Sequence, residues 1–186
     1  MPGIEDLVER LHRSSVQVLN RGGGGSGIVW DGAGHILTNS HVVRGDEAFV
    51  VDSTNRKFRA RVVRRDTDRD LALLETGMKL EPASIGDSGA VRAGQFVIAE
   101  GNPLGISGAV ALGVVHSAGA LAFGPAGNWL QADIRLAPGN SGGMLADREG
   151  RVIGINTMIF RGMGLAVPSN DAAAFVRSRS RRARAA

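Results

Sequence analysis

The sequence predicts an all-β fold built as two lobes. Glycine supplies 27 of the 186 residues with no collagen-type period. These glycines separate many short apolar runs, the pattern of strands joined by turns. Hydrophobic residues make up 43%, enough to bury a core rather than leave the chain disordered. Residues 76–94 are richer in Gly, Pro, Ser and charge, which places a boundary between two sets of strands. The length accommodates one large domain or two small lobes with cores of their own.

In chain order, Ile4, Leu7, Val8 and Leu11 recur at helical spacing. They predict a short amphipathic helix over residues 3–12, packed as an N-terminal cap. Ser15–Leu19 reads as a strand. The glycine run 22–25 lacks the Lys-Ser/Thr ending of a phosphate loop and precedes no helical pattern, so it reads as a flexible turn between strands. Gly27–Trp30 and His35–Thr38 form a hairpin through Asp31-Gly32-Ala33-Gly34. Ala48–Val51, Phe58–Arg64 and Leu71–Leu74 follow as strands, with Arg59, Arg61 and Arg64 on a wet face. Phe96–Glu100, Val110–Val115, Trp129–Ile134, Gly143–Ala146, Val152–Thr157 and Gly164–Val167 make the second set. Ser169 or Asn170 is the expected N-cap of a final helix through Ala172–Val176.

Composition removes several function classes. With no cysteine, disulfides, thiolate nucleophiles and cysteine-zinc sites are excluded. Asp66, Asp68 and Asp70 are spaced like the start of a calcium loop, but its glycine and terminal glutamate are missing. No metal or cofactor is expected. The net charge is +4, yet Arg177, Arg179, Arg181, Arg182 and Arg184 fall in an acid-free tail. Without these five the remaining 176 residues carry −1, so a basic nucleic-acid-binding body is not indicated. The tail reads as a solvated helix end or a linker, in preference to a site for nucleic acid or anionic membrane. Glu5, Asp6 and Glu9 stand where a signal peptide would be basic and then apolar, so none is expected and the compartment stays open. Residues 101–132 carry no Asp, Glu, Lys or Arg, but they contain Pro103, Pro125, His116 and seven glycines. They read as buried strands and turns, not as a membrane span.

The chemistry concentrates in Pro138-Gly139-Asn140-Ser141-Gly142-Gly143. A serine between glycines can be a nucleophile in a tight turn, if a base and a group orienting that base are supplied. His41 ends an apolar strand in Thr38-Asn39-Ser40-His41-Val42-Val43. Asp70 borders the apolar run Leu71-Ala72-Leu73-Leu74, where a carboxylate is costly unless paired. His41, Asp70 and Ser141, in that order, make a base, orienter and nucleophile. His12, His35 and His116 have no comparable setting.

On these residues the sequence resembles the HtrA/Deg family of trypsin-like serine proteases. Further matching segments are Gly25-Ser26-Gly27-Ile28-Val29, Ile85-Gly86-Asp87-Ser88 and Gly101-Asn102-Pro103-Leu104-Gly105. Gln131-Ala132-Asp133, Gly154-Ile155-Asn156-Thr157 and Gly164-Leu165-Ala166-Val167-Pro168-Ser169-Asn170 complete the match, which runs from about residue 15 to about 175. The resemblance implies two six-stranded antiparallel β-barrels of the chymotrypsin/trypsin-like type, with short N- and C-terminal helices. The expected division is helix 1–14, first barrel 15–90, second barrel 91–168, and helix with basic tail 169–186. The resemblance assigns His41 as general base, Asp70 as orienter and Ser141 as nucleophile. It places Gly139 and Ser141 N–H groups, with Asn140 on the same loop, at the oxyanion hole. Leu136 and Ile159-Phe160 are expected to line an apolar specificity pocket beside the Thr157–Phe160 edge. Arg135 either enters that pocket, pairs with Asp133 or is exposed. The implied activity is hydrolysis of unfolded or extended polypeptides in protein quality control. A chaperone or peptide-binding module with a collapsed active loop is the alternative. The resemblance also suggests a homotrimer and a cell-envelope setting, although residues 1–20 lack the aromatics such trimers use. No PDZ segment is recognisable after the protease region.

Overall fold

Two strands of one barrel and a loop of the other have to meet for the site to exist, and the topology arranges this. The computed structural model describes residues 3–20, 22–102 and 108–178. The first barrel contains β1 (Ser15–Asn20), β2 (Gly23–Val29), β3 (His35–Thr38), β4 (Glu47–Val51), β5 (Lys57–Asp66) and β6 (Leu71–Glu75). They close in the order β1-β2-β3-β6-β5-β4. The second contains β7 (Phe96–Gly101), β8 (Ala109–Ala120), β9 (Asn128–Asp133), β10 (Met144–Asp147), β11 (Val152–Phe160) and β12 (Met163–Pro168). It closes as β10-β11-β12-β9-β8-β7. All neighbours are antiparallel. This is the all-β, two-barrel architecture expected from the sequence. Closure leaves no long unpaired edge.

Each barrel has a private core. Val16, Val18, Ile36, Val50 and Leu74 fill the first; Val97, Leu130, Leu145 and Ile153 fill the second. A third cluster joins them: Leu37, Leu71 and Leu73 from one barrel meet Ile155, Leu165 and Val167 from the other. This seam sets the barrels' relative position.

Helix α1 (Ile4–Arg13) docks on the seam through Leu7 and Leu11. Burying each leucine contributes about 1.5–3 kcal/mol. Its Gly3 N–H donates to Asp6 Oδ2 at 3.1 Å. Acids in its first turn and bases in its last complement the helix dipole. Helix α2 (Ser169–Arg177) packs Ala172 and Phe175 on the same seam. Arg64 from β5 ties its end down, Nη1 donating to Phe175 O at 2.6 Å and Val176 O at 2.8 Å.

Several local expectations need correcting. Residues 23–25 of the glycine run are not a loop. They pair with β1, Asn20 opposite Gly23, because backbone hydrogen bonds need no side chains. Arg64 is not on the wet face: a bulge between Val62 and Arg64 shifts it to a half-buried position. The N-cap of α2 is Pro168. Ser169 and Asn170 lie inside the helix, their side chains donating instead to Gly86 O and Asp87 Oδ1. Beyond Ser178, the basic tail lies outside the described residues, as do Pro103–Gly105. Among the described residues, no helix is long and apolar enough to cross a membrane.

Candidate active site

His41 sits in a 3₁₀ turn, Ser40–Val42, directly after β3. The turn is held from below by Arg65. Its guanidinium donates to Ser40 O at 2.9 Å, Val43 O at 2.7 Å and Gly45 O at 2.6 Å. Asp70 precedes β6 with φ of 53°, a left-handed conformation uncommon for a non-glycine residue. Two donors hold it there: its carbonyl accepts from Ser40 N–H at 3.1 Å and Asn39 Nδ2 at 2.9 Å.

Both Asp70 carboxylate oxygens engage His41. Oδ1 accepts the His41 backbone N–H at 2.9 Å, and Oδ2 lies 2.6 Å from Nδ1. A carboxylate at Nδ1 places the proton of a neutral ring there and leaves Nε2 as the acceptor, the tautomer a general base needs. The His41 side chain is 50% exposed, against 19% for Asp70. The imidazole is thus open to solvent while the carboxylate beside it is largely covered.

Ser141 is brought to the same place by the loop before β10. Ala137–Asn140 is a turn with Asn140 N–H donating to Ala137 O at 3.0 Å. Pro138 second and Gly139 third, at φ of 101°, match a type II turn. At Gly142 no side chain is tolerable: φ is +85°, and a Cβ would fall 2.1 Å from Ser26 O and 2.2 Å from Thr38 Oγ1. That close approach lets the loop lie against β2. The loop is anchored there by Ser26, whose N–H donates to Ser141 O at 2.8 Å. Its hydroxyl donates to Gly139 O at 2.7 Å while accepting Asn102 N–H at 2.8 Å. Gly142 N–H donates to Asn156 O, and Asn156 N–H to Gly143 O, each at 2.8 Å.

Among the described residues, neither the Gly139 nor the Ser141 N–H has a hydrogen-bond partner. Asn140 N–H is spent on its own turn, so of the three loop residues only Gly139 and Ser141 have free backbone donors.

Ser141 Oγ donates to Thr157 O at 3.0 Å, not to His41. Thr157 sits where the β11–β12 register shifts between Asn156 and Met158. Its hydroxyl accepts from Asn39 Nδ2 at 3.1 Å. Asn39 therefore bridges Asp70 in one barrel to Thr157 in the other. A methyl group at Gly25 would lie 2.7 Å from Ser141 O and 2.8 Å from Val42 Cγ2. The nucleophile and the residue after His41 thus flank one point.

Leu136 and Ile134 crowd the Cβ position of Gly164, at 3.0 and 2.8 Å, and Gly164 pairs with Ile159. Leu136 is half-buried and Ile159 is 55% exposed. Phe160 turns its ring to the Gly124 position, within 3.2 Å, beneath the Arg161 guanidinium. Arg135 and Asp133 are both exposed, with no ion pair between them among the described residues. Ser26, Asn39 and Arg65 were not singled out by sequence reasoning. The first two lie within segments of the resemblance, which was their only signal. Arg65 ends an arginine-rich strand and had none.

The trypsin-like peptidase domain family matches residues 25–155. Protease Do-like 1, chloroplastic, of Arabidopsis thaliana is 39% identical over 161 residues, 78% of this chain and 37% of that protein. Periplasmic serine endoprotease DegP of Salmonella typhimurium is 39% identical over 160 residues, 78% of this chain and 33% of that protein. The chain thus spans about a third of the length of such relatives. The solved structure of HtrA-type protease AlgW with tripeptide superposes with a TM-score of 0.89 at 32% identity, covering 95% of this chain and 63% of that one. With the two barrels and these relatives in agreement, the chain belongs to the trypsin-like peptidase domain family and is similar to HtrA-type proteases.

Proposed function

We propose that the protein is a serine endopeptidase that cleaves unfolded or extended polypeptides, with His41, Asp70 and Ser141 as its triad. The observation that supports this reading is His41 held by both Asp70 carboxylate oxygens, together with a serine loop whose Gly139 and Ser141 N–H groups have no partner among the described residues. A substrate strand adds beside Thr157–Phe160, its side chain before the scissile bond entering the apolar site at Leu136 and Ile159. Small and medium aliphatic side chains fit that lining. Ser141 rotates one χ1 well, from Thr157 O to His41 Nε2. His41 removes its proton as Oγ attacks, and Asp70 stabilises the imidazolium. The Gly139 and Ser141 N–H groups receive the oxyanion. His41 then protonates the leaving amine, and water hydrolyses the acyl-enzyme with the same base.

The decisive experiment pairs peptide hydrolysis with fluorophosphonate labelling. Ser141→Ala is expected to lose about 10⁶-fold in kcat and all labelling. Equal hydrolysis by both proteins would overturn the assignment. A chaperone role, with cleavage switched off, is favoured by one observation only, the Ser141 hydroxyl resting on Thr157. It predicts suppressed aggregation of an unfolded protein with no cleavage and no labelling. Quality control as the biological role and assembly into a trimer are proposals drawn from the family resemblance, and a cell-envelope location is one drawn from periplasmic relatives such as DegP.

A further inference from the structure

A second concavity opens on the first barrel, outside the site just described. Its volume is about 530 Å³, and its lining includes Leu19, Asn20, Arg44, Phe49, Lys57 and Arg59. The strand register explains its make-up. Leu19 on β1, Phe49 on β4 and Arg59 on β5 are direct neighbours across the sheet. Lys57 stands one alternation along β5 and holds its Nζ 4.4 Å above the Phe49 ring. Arg44 closes one end. The floor is thus an exposed aromatic and the rim is cationic. Three cations face one carboxylate, Glu47, which sits at 3.9 Å from Arg59 with both side chains well exposed. That pair is long and wet and neutralises little.

The concavity lies beside the segment that carries His41. Asn20 Nδ2 donates to Val42 O, one residue after His41, and Arg44 follows two residues later. Asn20 pairs with Gly23 at the start of β2, and Gly25, two residues on, touches Ser141 O. Gly23 and Gly24 are exposed and carry no side chains to block passage. In the proposed reaction the acyl side of the substrate occupies the Thr157–Phe160 edge. The leaving-group side therefore departs past His41 and over the β1–β2 hairpin, toward Arg44.

Resting on that reading, we propose that this groove is an exosite for an acidic segment of the substrate on the leaving-group side of the scissile bond. Carboxylates of the departing chain pair with Lys57, Arg59 and Arg44, and its apolar side chains lie on Phe49 and Leu19. Such pairing acts on capture and weakens with salt.

The test uses internally quenched peptides that are identical up to the scissile bond and carry Glu, Gln or Lys at the positions after it. The Glu series is expected to show about a fivefold higher kcat/KM than the Lys series at low salt, a size set by a few exposed charge pairs. Lys57→Glu with Arg59→Glu is expected to abolish or invert the order. A short substrate with only a chromophore after the scissile bond stays unchanged, which controls for folding and the triad. No preference in the wild type, or the same preference in the double variant, overturns the proposal. Anisotropy of the same labelled peptides on Ser141→Ala protein reads the groove without turnover. Charge-ordered binding there with no hydrolysis anywhere leaves the exosite standing and removes the protease reading. Binding of anionic vesicles that outcompetes the Glu peptide, and is lost in the double variant, overturns it in favour of a lipid surface.

Discussion

Ser26 does more than its place in a glycine-rich strand suggests. Fully buried, its hydroxyl links the end of β7 to the carbonyl of Gly139. Ser26→Ala leaves a half-buried acceptor, Gly139 O, and a buried donor, Asn102 N–H, unpaired. The expected result is a fall of about tenfold in kcat on a short substrate, equivalent to one hydrogen bond of ~1.4 kcal/mol, with KM unchanged. A change in KM alone would mean that Ser26 shapes substrate binding rather than the loop. Gly142→Ala is harsher, because its Cβ would meet backbone oxygen. It should abolish fluorophosphonate labelling while circular dichroism still reports two barrels. At this scale the sequence was legible for residues whose chemistry is unusual in context, such as Asp70 beside an apolar strand. It was silent on Arg65, since an arginine that braces carbonyls looks like one that meets water.

The strands were legible because apolar alternation and turn residues agree with each other. The exceptions have local causes. β2 begins inside the glycine run, where no side-chain pattern exists to read. β8 and β11 run longer than predicted because their ends are paired by backbone while their side chains face solvent, as at His116, Ala118 and Ile159. Helix α1 was legible as a cap, but its buried polar anchor was not. His12 Nδ1 lies 3.3 Å from Oε1 of Glu100, whose side chain is fully buried, and Glu100 Oε2 has no partner among the described residues. The hydrogen bond to Glu100 holds the His12 pKa above the ordinary imidazole value of 6.5. A base held more strongly protonated in the folded state stabilises fully below its unfolded pKa. That contribution is lost as the pH rises through the folded value. Thermal unfolding followed from pH 5.5 to 8.5 should therefore show stability falling with pH, and His12→Ala should flatten that slope. An unchanged slope in the variant would assign it elsewhere.

Across the whole molecule, the proposed base His41 and its orienter Asp70 belong to one barrel and the proposed nucleophile Ser141 to the other. Alignment therefore depends on the seam as much as on the loops. Leu165→Ala, in the seam but touching none of the three, should cost about 2–5 kcal/mol. Unfolding midpoint and labelling rate should fall together; loss of stability with full labelling at low temperature would show that the loops align without the seam. The two-barrel plan could be anticipated from His41, Asp70 and Ser141 only by resemblance. Nothing in strand periodicity says which barrel faces which, because that is decided by which leucines are left over after each core is filled.

The bond from Arg64 to the last carbonyls of α2 makes the chain beyond Arg177 a handle. Tension applied there would be resisted by β5, which carries Arg64. β5 is laced to β6 from Leu71 to Glu75, and the residue just before β6 is Asp70. A tug on that helix end therefore reaches Asp70 through β5, and it reaches the second barrel along the backbone, through Pro168 into β12.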